Sequence, residues 1–283
     1  MTPKSYQTLI AIIGIVVLLI TVPASAEPLQ PVAAYQVLDL DCDVCPRVIV
    51  VPGGRFTLGD TTGQGDADEL PTQEVTVGRF AIGQFEVSFG EYDIYVRETG
   101  ADSPPDLLWG RNNRPVIHVS WDDAHQYLEW LSRKSGREWR LPTEAEWQYA
   151  AKQGGTDFEN DMLRLCDYAN HADASTRYRW RNIGCRDGSA SITSPVGKYR
   201  PNNLGIHDMH GNVYEWVADC YAPSLADHPL DGTAFESKDC LERVMMGGSW
   251  YNDPRNVRAS NRSSSPPDAR QANVGFRVVL ELD

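Results

Sequence analysis

Six cysteines carry the most reactive side chains of this sequence: Cys42, Cys45, Cys166, Cys185, Cys220 and Cys240. An even number in an oxidising compartment points to disulfides. Order along the chain favours the local pairs Cys166–Cys185 and Cys220–Cys240. Each would close a loop of about 20 residues, worth roughly 3 kcal/mol of chain entropy. Cys42 and Cys45 form a CxxC, a spacing used by structural disulfides, redox pairs and metal half-sites. A redox pair needs a thioredoxin-like strand and helix around it, whereas here Pro46 and a β-rich run follow. His207 and His210 have the spacing of two transition-metal ligands, but no third ligand stands at a motif-like distance. They and His118 read as histidines without a metal role, His118 within a strand entering a helix. Ser249 lies outside any Gly-x-Ser-x-Gly elbow and has no Asp/His partner at a motif-like spacing, which argues against a nucleophile.

The elements that must hold these groups are legible in part. Ser88–Glu91, Ser120–Asp123 and Thr143–Glu146 each place a hydroxyl three residues before a carboxylate. That spacing caps the unpaired N–H groups of a helix start and puts negative charge at its positive end. Ala124, Tyr127, Leu128 and Leu131 form the apolar stripe of the second helix, which should stop at Gly136; the third should end near Gly154-Gly155. Val48 to Gly59 reads as two short strands around Pro-Gly-Gly. Asp60 to Leu70 reads as a solvated acidic loop, since EF-hand spacing is absent. Beyond residue 155 the helical pattern stops, and short strands joined by long ordered loops are expected.

Residues 1–26 read as a signal peptide: Lys4, an apolar run from Leu9 to Ile20, and an Ala24-Ser25-Ala26 cleavage box. The mature chain is therefore expected in the periplasm or secreted, with no membrane contact after cleavage. Residues 27–41 read as a loosely held arm and 42–283 as one domain, because no break in composition marks a linker. With 26 basic against 39 acidic residues, the net charge of −13 repels phosphate backbones and anionic lipid. Nucleic acid is thereby a poor partner. A monomer that takes a peptide, protein or small-molecule ligand is expected.

Five segments, taken together and in order, resemble the formylglycine-generating-enzyme (sulfatase-modifying-factor) family. They are Val51-Pro52-Gly53-Gly54-Arg55-Phe56; Pro115-Val116-Ile117-His118-Val119-Ser120-Trp121-Asp122-Asp123-Ala124; Arg140-Leu141-Pro142-Thr143-Glu144-Ala145-Glu146-Trp147; Gly211-Asn212-Val213-Tyr214-Glu215-Trp216; and Gly247-Gly248-Ser249-Trp250 with Asn273-Val274-Gly275-Phe276-Arg277. The resemblance implies an α+β fold, C-type-lectin-like and low in regular secondary structure, with loops held by disulfides and calcium. In the family's oxygen-dependent members two cysteines shortly after Gly-Gly-Ser bind copper and oxidise a substrate cysteine. Thiolates suit cuprous copper because both are soft. Here no cysteine follows Cys240, and Trp250 to Val257 offer no soft ligand pair. No copper is expected, and Cys-to-formylglycine oxidation with it.

The resemblance also implies two calcium sites. One would use Asn170, the His171 carbonyl, Asp187 and the Ser189 carbonyl. The other would use Asp208 with the carbonyls of Met209, Gly211 and Val213. Hard cations want such all-oxygen sets. By the same resemblance Ser249 lines a pocket, and Tyr214 replaces a pocket tryptophan with a more polar group. Asn252, Arg258 and Arg262 complete the candidate pocket, in a loop from Tyr251 to Asn273 rich in adaptable polar side chains. Trp121, Trp216 and Trp250 read as core. Two functions follow: a non-catalytic binding or accessory module, or an oxidoreductase working on a peptidyl substrate in the same pocket without the copper cysteines, as in siderophore maturation.

Overall fold

The computed structural model describes residues 35–153 and 164–282. The expected leader and the Gly154-Gly155 helix stop lie outside these residues. Val48–Val51 (β2) and Gly54–Leu58 (β3) are the two expected strands, but they join different sheets. β2 pairs on one side with Gln36–Leu38 (β1), so this part of the expected arm is an edge strand. On the other side it pairs with Phe80–Gly83 (β5). Val279–Leu280 (β11) and Trp139–Arg140 (β6) complete a five-stranded antiparallel sheet in the order β1-β2-β5-β11-β6. β3 pairs with Gln73–Val77 (β4).

All three expected helix starts are present. Phe89–Thr99 (α1) and Trp121–Ser135 (α2) have capping boxes at Ser88 and Ser120 and end at left-handed Gly100 and Gly136. Glu144–Gln153 (α3) starts the same way: the Thr143 hydroxyl accepts from the Glu146 N–H, and Glu146 accepts from the Thr143 N–H. α1 and α2 meet through stacked Tyr92 and Tyr127, with Tyr95, Trp130 and Phe276 around them. These buried rings supply much of the apolar area of a loop-rich core.

The second half is one short helix, Leu165–Tyr168 (α4), and a four-stranded sheet. Tyr214–Cys220 (β7) lies between parallel Val274–Phe276 (β10) and antiparallel Arg243–Met246 (β8), with Arg262–Ser265 (β9) at the edge. β7 is buried along nearly its whole length, and Trp216 is fully buried in the core. The disulfides are Cys42–Cys45, Cys166–Cys185 and Cys220–Cys240, the local pairing read from chain order. No helix among the described residues is long and apolar enough to cross a membrane.

Candidate functional site

β8 runs into Gly247-Gly248, and the turn that follows places Ser249 fully buried, its hydroxyl accepting from the Tyr251 N–H at 3.4 Å. The Ser249 hydroxyl donates to Asn252 Oδ1 (2.5 Å) and accepts from Asn273 Nδ2 (3.2 Å). Asn252 Nδ2 donates to the Tyr214 hydroxyl at 3.1 Å. Ser249, Asn252 and Tyr214 therefore do converge, tied together by β7, β10 and the turn after β8. No titratable base is among the serine's partners, so the hydroxyl is held and not activated. Burial pushes the Tyr214 phenol up to about 12, which keeps it neutral and limits it to hydrogen bonding.

Arg258 and Arg262 are not part of this group, which corrects the sequence reading. Arg258 forms a two-pronged pair with Glu69 at 2.8 and 2.6 Å. Arg262 pairs with Glu144 at 2.8 and 3.1 Å and donates to the carbonyls of Asp68 and Ala222. Both guanidinium groups are committed to buried carboxylates in two-pronged pairs, so neither is available to a ligand. Residues 60–70 are mostly exposed, as the solvated reading expects, but two carboxylates depart from it. Asp60 and Glu69 are buried in that segment and anchor it to Arg258. Burial alone would raise Asp60, but bonds from Thr62 and Gly65 and the Arg258 charge hold it at about 2. Trp250 also departs from the core reading. It is half-buried, edge-on to Trp109, with its indole N–H toward the Ala272 carbonyl.

The two loops expected to hold calcium are joined. Asn170 bridges Gly211, Asn212 donates its N–H to the Asn170 carbonyl (2.8 Å), and Asn170 Nδ2 donates to Asn212 Oδ1 (3.1 Å). Gly211 has φ +78°, and an added Cβ would collide with the Asn170 carbonyl, so only glycine permits this approach. Asp187 accepts from the backbone N–H of His171 (3.0 Å) and Ser189 (2.7 Å), while Lys198 donates to the Asp187 carbonyl at 3.2 Å. Asp208 accepts from Gly197 N–H through Oδ2.

Three buried oxygens of this region have no hydrogen-bond partner: Asn170 Oδ1, Asp208 Oδ1 and Glu86 Oε1. Orphaned buried oxygens are rare because each costs roughly 1–3 kcal/mol, more when charged. Burial pushes Asp208 up to about 6. Burial and the charges of Asp208 and Glu215 push Glu86 well above the usual carboxylate range. Two carboxylates and an amide oxygen needing positive partners suit a hard divalent cation. In chemistry these oxygens fit calcium at Asn170 and at Asp208, expected as two separate sites, with Glu86 as a further oxygen beside Asp208. Sequence reasoning missed Glu86, although a carboxylate inside Phe80-Ala-Ile-Gly-Gln-Phe-Glu-Val-Ser-Phe89 was a visible signal.

Among the described residues His207, His210 and His118 belong to no cluster of metal-ligating side chains. His207 Nδ1 lies 2.8 Å from the Tyr199 carbonyl and His210 Nδ1 2.7 Å from that of Val257. His118 has φ +56° in a bend, not a strand. His228 lies within 3.3 Å of Glu144 with Asp219 beside it, but Arg262 already supplies the fixed cation there. A cavity of about 770 Å³ lies at the end of α1, lined by Tyr92, Tyr95, His118, Asp123 and Arg270, and shares no residue with the Ser249 group.

Residues 35–282 match the sulfatase-modifying factor enzyme 1-like domain. The chain belongs to that family. It is 32% identical to the formylglycine-generating enzyme of Streptomyces coelicolor, over 82% of this chain and 88% of that protein. It is 30% identical to the mouse inactive C-alpha-formylglycine-generating enzyme 2, over 83% of this chain and 85% of that protein. Among solved structures, PvdO from Pseudomonas aeruginosa superposes with a TM-score of 0.75 at 34% identity, over 87% of this chain and 98% of that one.

Proposed function

We propose that the chain is an exported accessory protein of the family, which binds a peptidyl ligand at the Ser249–Asn252–Tyr214 group without oxidising cysteine. One observation carries this reading. All six cysteines are in disulfides, and the group formed by Ser249, Asn252 and Tyr214 supplies hydroxyl, amide and phenol groups where copper chemistry needs thiolates. The mouse relative described as inactive supports the existence of such members. Three disulfides suit an oxidising compartment, in agreement with the leader read at residues 1–26. Calcium is proposed as the structural ion at Asp208 and Asn170.

The likeness to PvdO gives weight to a second reading, an oxidoreductase acting on a peptidyl substrate in the same pocket without copper cysteines. Cuprous titration against a competing chelator separates the two, together with oxygen uptake and elemental analysis. The accessory reading expects no copper retained and no oxygen consumed. Bound iron or copper with oxygen uptake would favour the oxidoreductase.

A further inference from the structure

In a chain of net charge −13, one segment is locally basic. Residues 174–186 contain Arg177, Arg179, Arg181 and Arg186 and no carboxylate. Arg177 and Arg179 alternate with Tyr178 and Trp180. Among the described residues, Arg177, Arg179 and Arg186 have no ion-pair partner, and all three are exposed.

The segment is built rather than loose. Ala174 N–H donates to the Cys185 carbonyl (3.1 Å) and Asn182 N–H to that of Ala172 (2.7 Å), beside the Cys166–Cys185 bridge. Arg181 turns back to the Tyr178 carbonyl at 2.8 Å. The rings of Tyr178 and Trp180 stack at 5.1 Å with planes 6° apart, and Tyr251 meets both edge-on. The Trp180 indole N–H donates to the Tyr251 carbonyl at 2.9 Å. Tyr251 then contacts Trp250, which meets Trp109. Trp180 remains 42% exposed and Tyr251 41%, with Ile183 at 79% beside them. The Tyr251 backbone N–H donates to the Ser249 hydroxyl at 3.4 Å, so the aromatic surface adjoins the candidate site.

We propose that this surface is a docking platform for a short acidic peptide segment bearing an aromatic side chain, which it leads to the Ser249–Asn252–Tyr214 group. The proposal deepens the peptidyl-ligand reading above and rests on it. Unpaired guanidinium forks take carboxylates in two-pronged bonds, and the ring faces take an aromatic or apolar side chain. Charge decides between a peptide and a nucleic acid. Salt screens beyond about 8 Å at physiological ionic strength, so a short peptide feels mainly the local arginines. A longer polyanion would extend over a surface whose overall charge repels it.

The test uses the mature chain and a fluorescein-labelled peptide, Glu-Asp-Tyr-Glu-Gly-Trp-Asp-Glu, read by anisotropy. Controls are the same peptide with Gln and Asn for Glu and Asp, and an eight-nucleotide oligothymidylate. Saturable binding to the acidic peptide is expected. It should weaken by about tenfold or more in Arg177→Glu/Arg179→Glu and in Trp180→Ala, and should weaken as salt rises. Unchanged melting temperatures of these surface variants show that the fold is intact. Equal binding of the neutral peptide, no effect of charge reversal, tighter binding of the oligonucleotide, or no binding at millimolar peptide would each overturn the proposal. Binding is read without turnover. Oxygen uptake with bound metal would sink the accessory reading while leaving the platform standing, and lost peptide binding without oxidation would sink the platform alone.

Discussion

Buried carboxylates are neutralised in two different ways within this domain. Glu69, Glu144 and Glu215 each receive both prongs of a buried arginine: Arg258, Arg262 and Arg277. Glu86 and Asp208 keep an oxygen each without a partner, and Asn170 beside them does the same. The first arrangement carries its own counter-charge and binds β7, β9, α3 and the C-terminal segment into one core. The second would be completed by the calcium proposed above. The comparison separates residues that make the fold from residues proposed to make it depend on an ion.

The largest expected effect breaks the first arrangement. Arg277 donates to Glu215 at 2.9 and 2.6 Å and to the carbonyls of Gly83 and His207, tying β5 and β7 together. Arg277→Met would leave Glu215 buried and uncompensated, which costs about 3–5 kcal/mol. A fall in Tm on the order of 10 °C is expected by calorimetry. A shift of a degree or two would show that Trp147, which donates to Glu215 at 2.7 Å, holds the carboxylate unaided.

The second arrangement should respond to calcium. An ion binding only the folded state adds about 2.7 kcal/mol at a hundredfold excess over Kd. Chelation should lower the Tm and calcium restore it. Asp208→Ala should lose much of the response, and Glu86→Gln part of it, while Arg258→Lys keeps it. Equal melting in millimolar calcium and in excess chelator, with no ion by elemental analysis, would show that the loops hold themselves.

A smaller effect tests whether the paired clusters are fully neutralised. Burial and the charge of Glu144 push Asp219 up to about 8. A folded pKa above the unfolded one means that the folded state holds its proton longer. The associated stability is complete below about pH 4 and is lost as pH rises through about 8. Asp219→Asn stays neutral throughout. Its Tm should therefore improve relative to wild type between pH 4 and 9, by a few degrees. A gap moving in favour of wild type would mean that the ionised carboxylate stabilises the backbone N–H groups of Glu144 and Phe235, which it accepts.

The sequence made one class of feature legible and hid another. Capping boxes at Ser88, Ser120 and Thr143 and the disulfide pairing act over short chain distances, so spacing alone carries them. The Ser249–Asn252–Tyr214 group was foreseen because the turn supplying two of its members is itself a sequence motif. The fates of Arg258 and Arg262 were not legible. A polar loop and a buried strand share their residue types, and the partners Glu69 and Glu144 lie 189 and 118 residues away. Glu86 stood out as a carboxylate in an apolar run, but its need for a partner exists only after the segment following β5 meets the Asp208 loop.

The central claim is a family fold without the family's copper oxidation. Its most direct test is mass spectrometry of a sulfatase-type cysteine peptide after incubation with the purified mature protein, with and without copper, in air. The cysteine should remain a thiol or a simple disulfide in every sample. Loss of the thiol with appearance of an aldehyde in protein-dependent amounts would contradict the account.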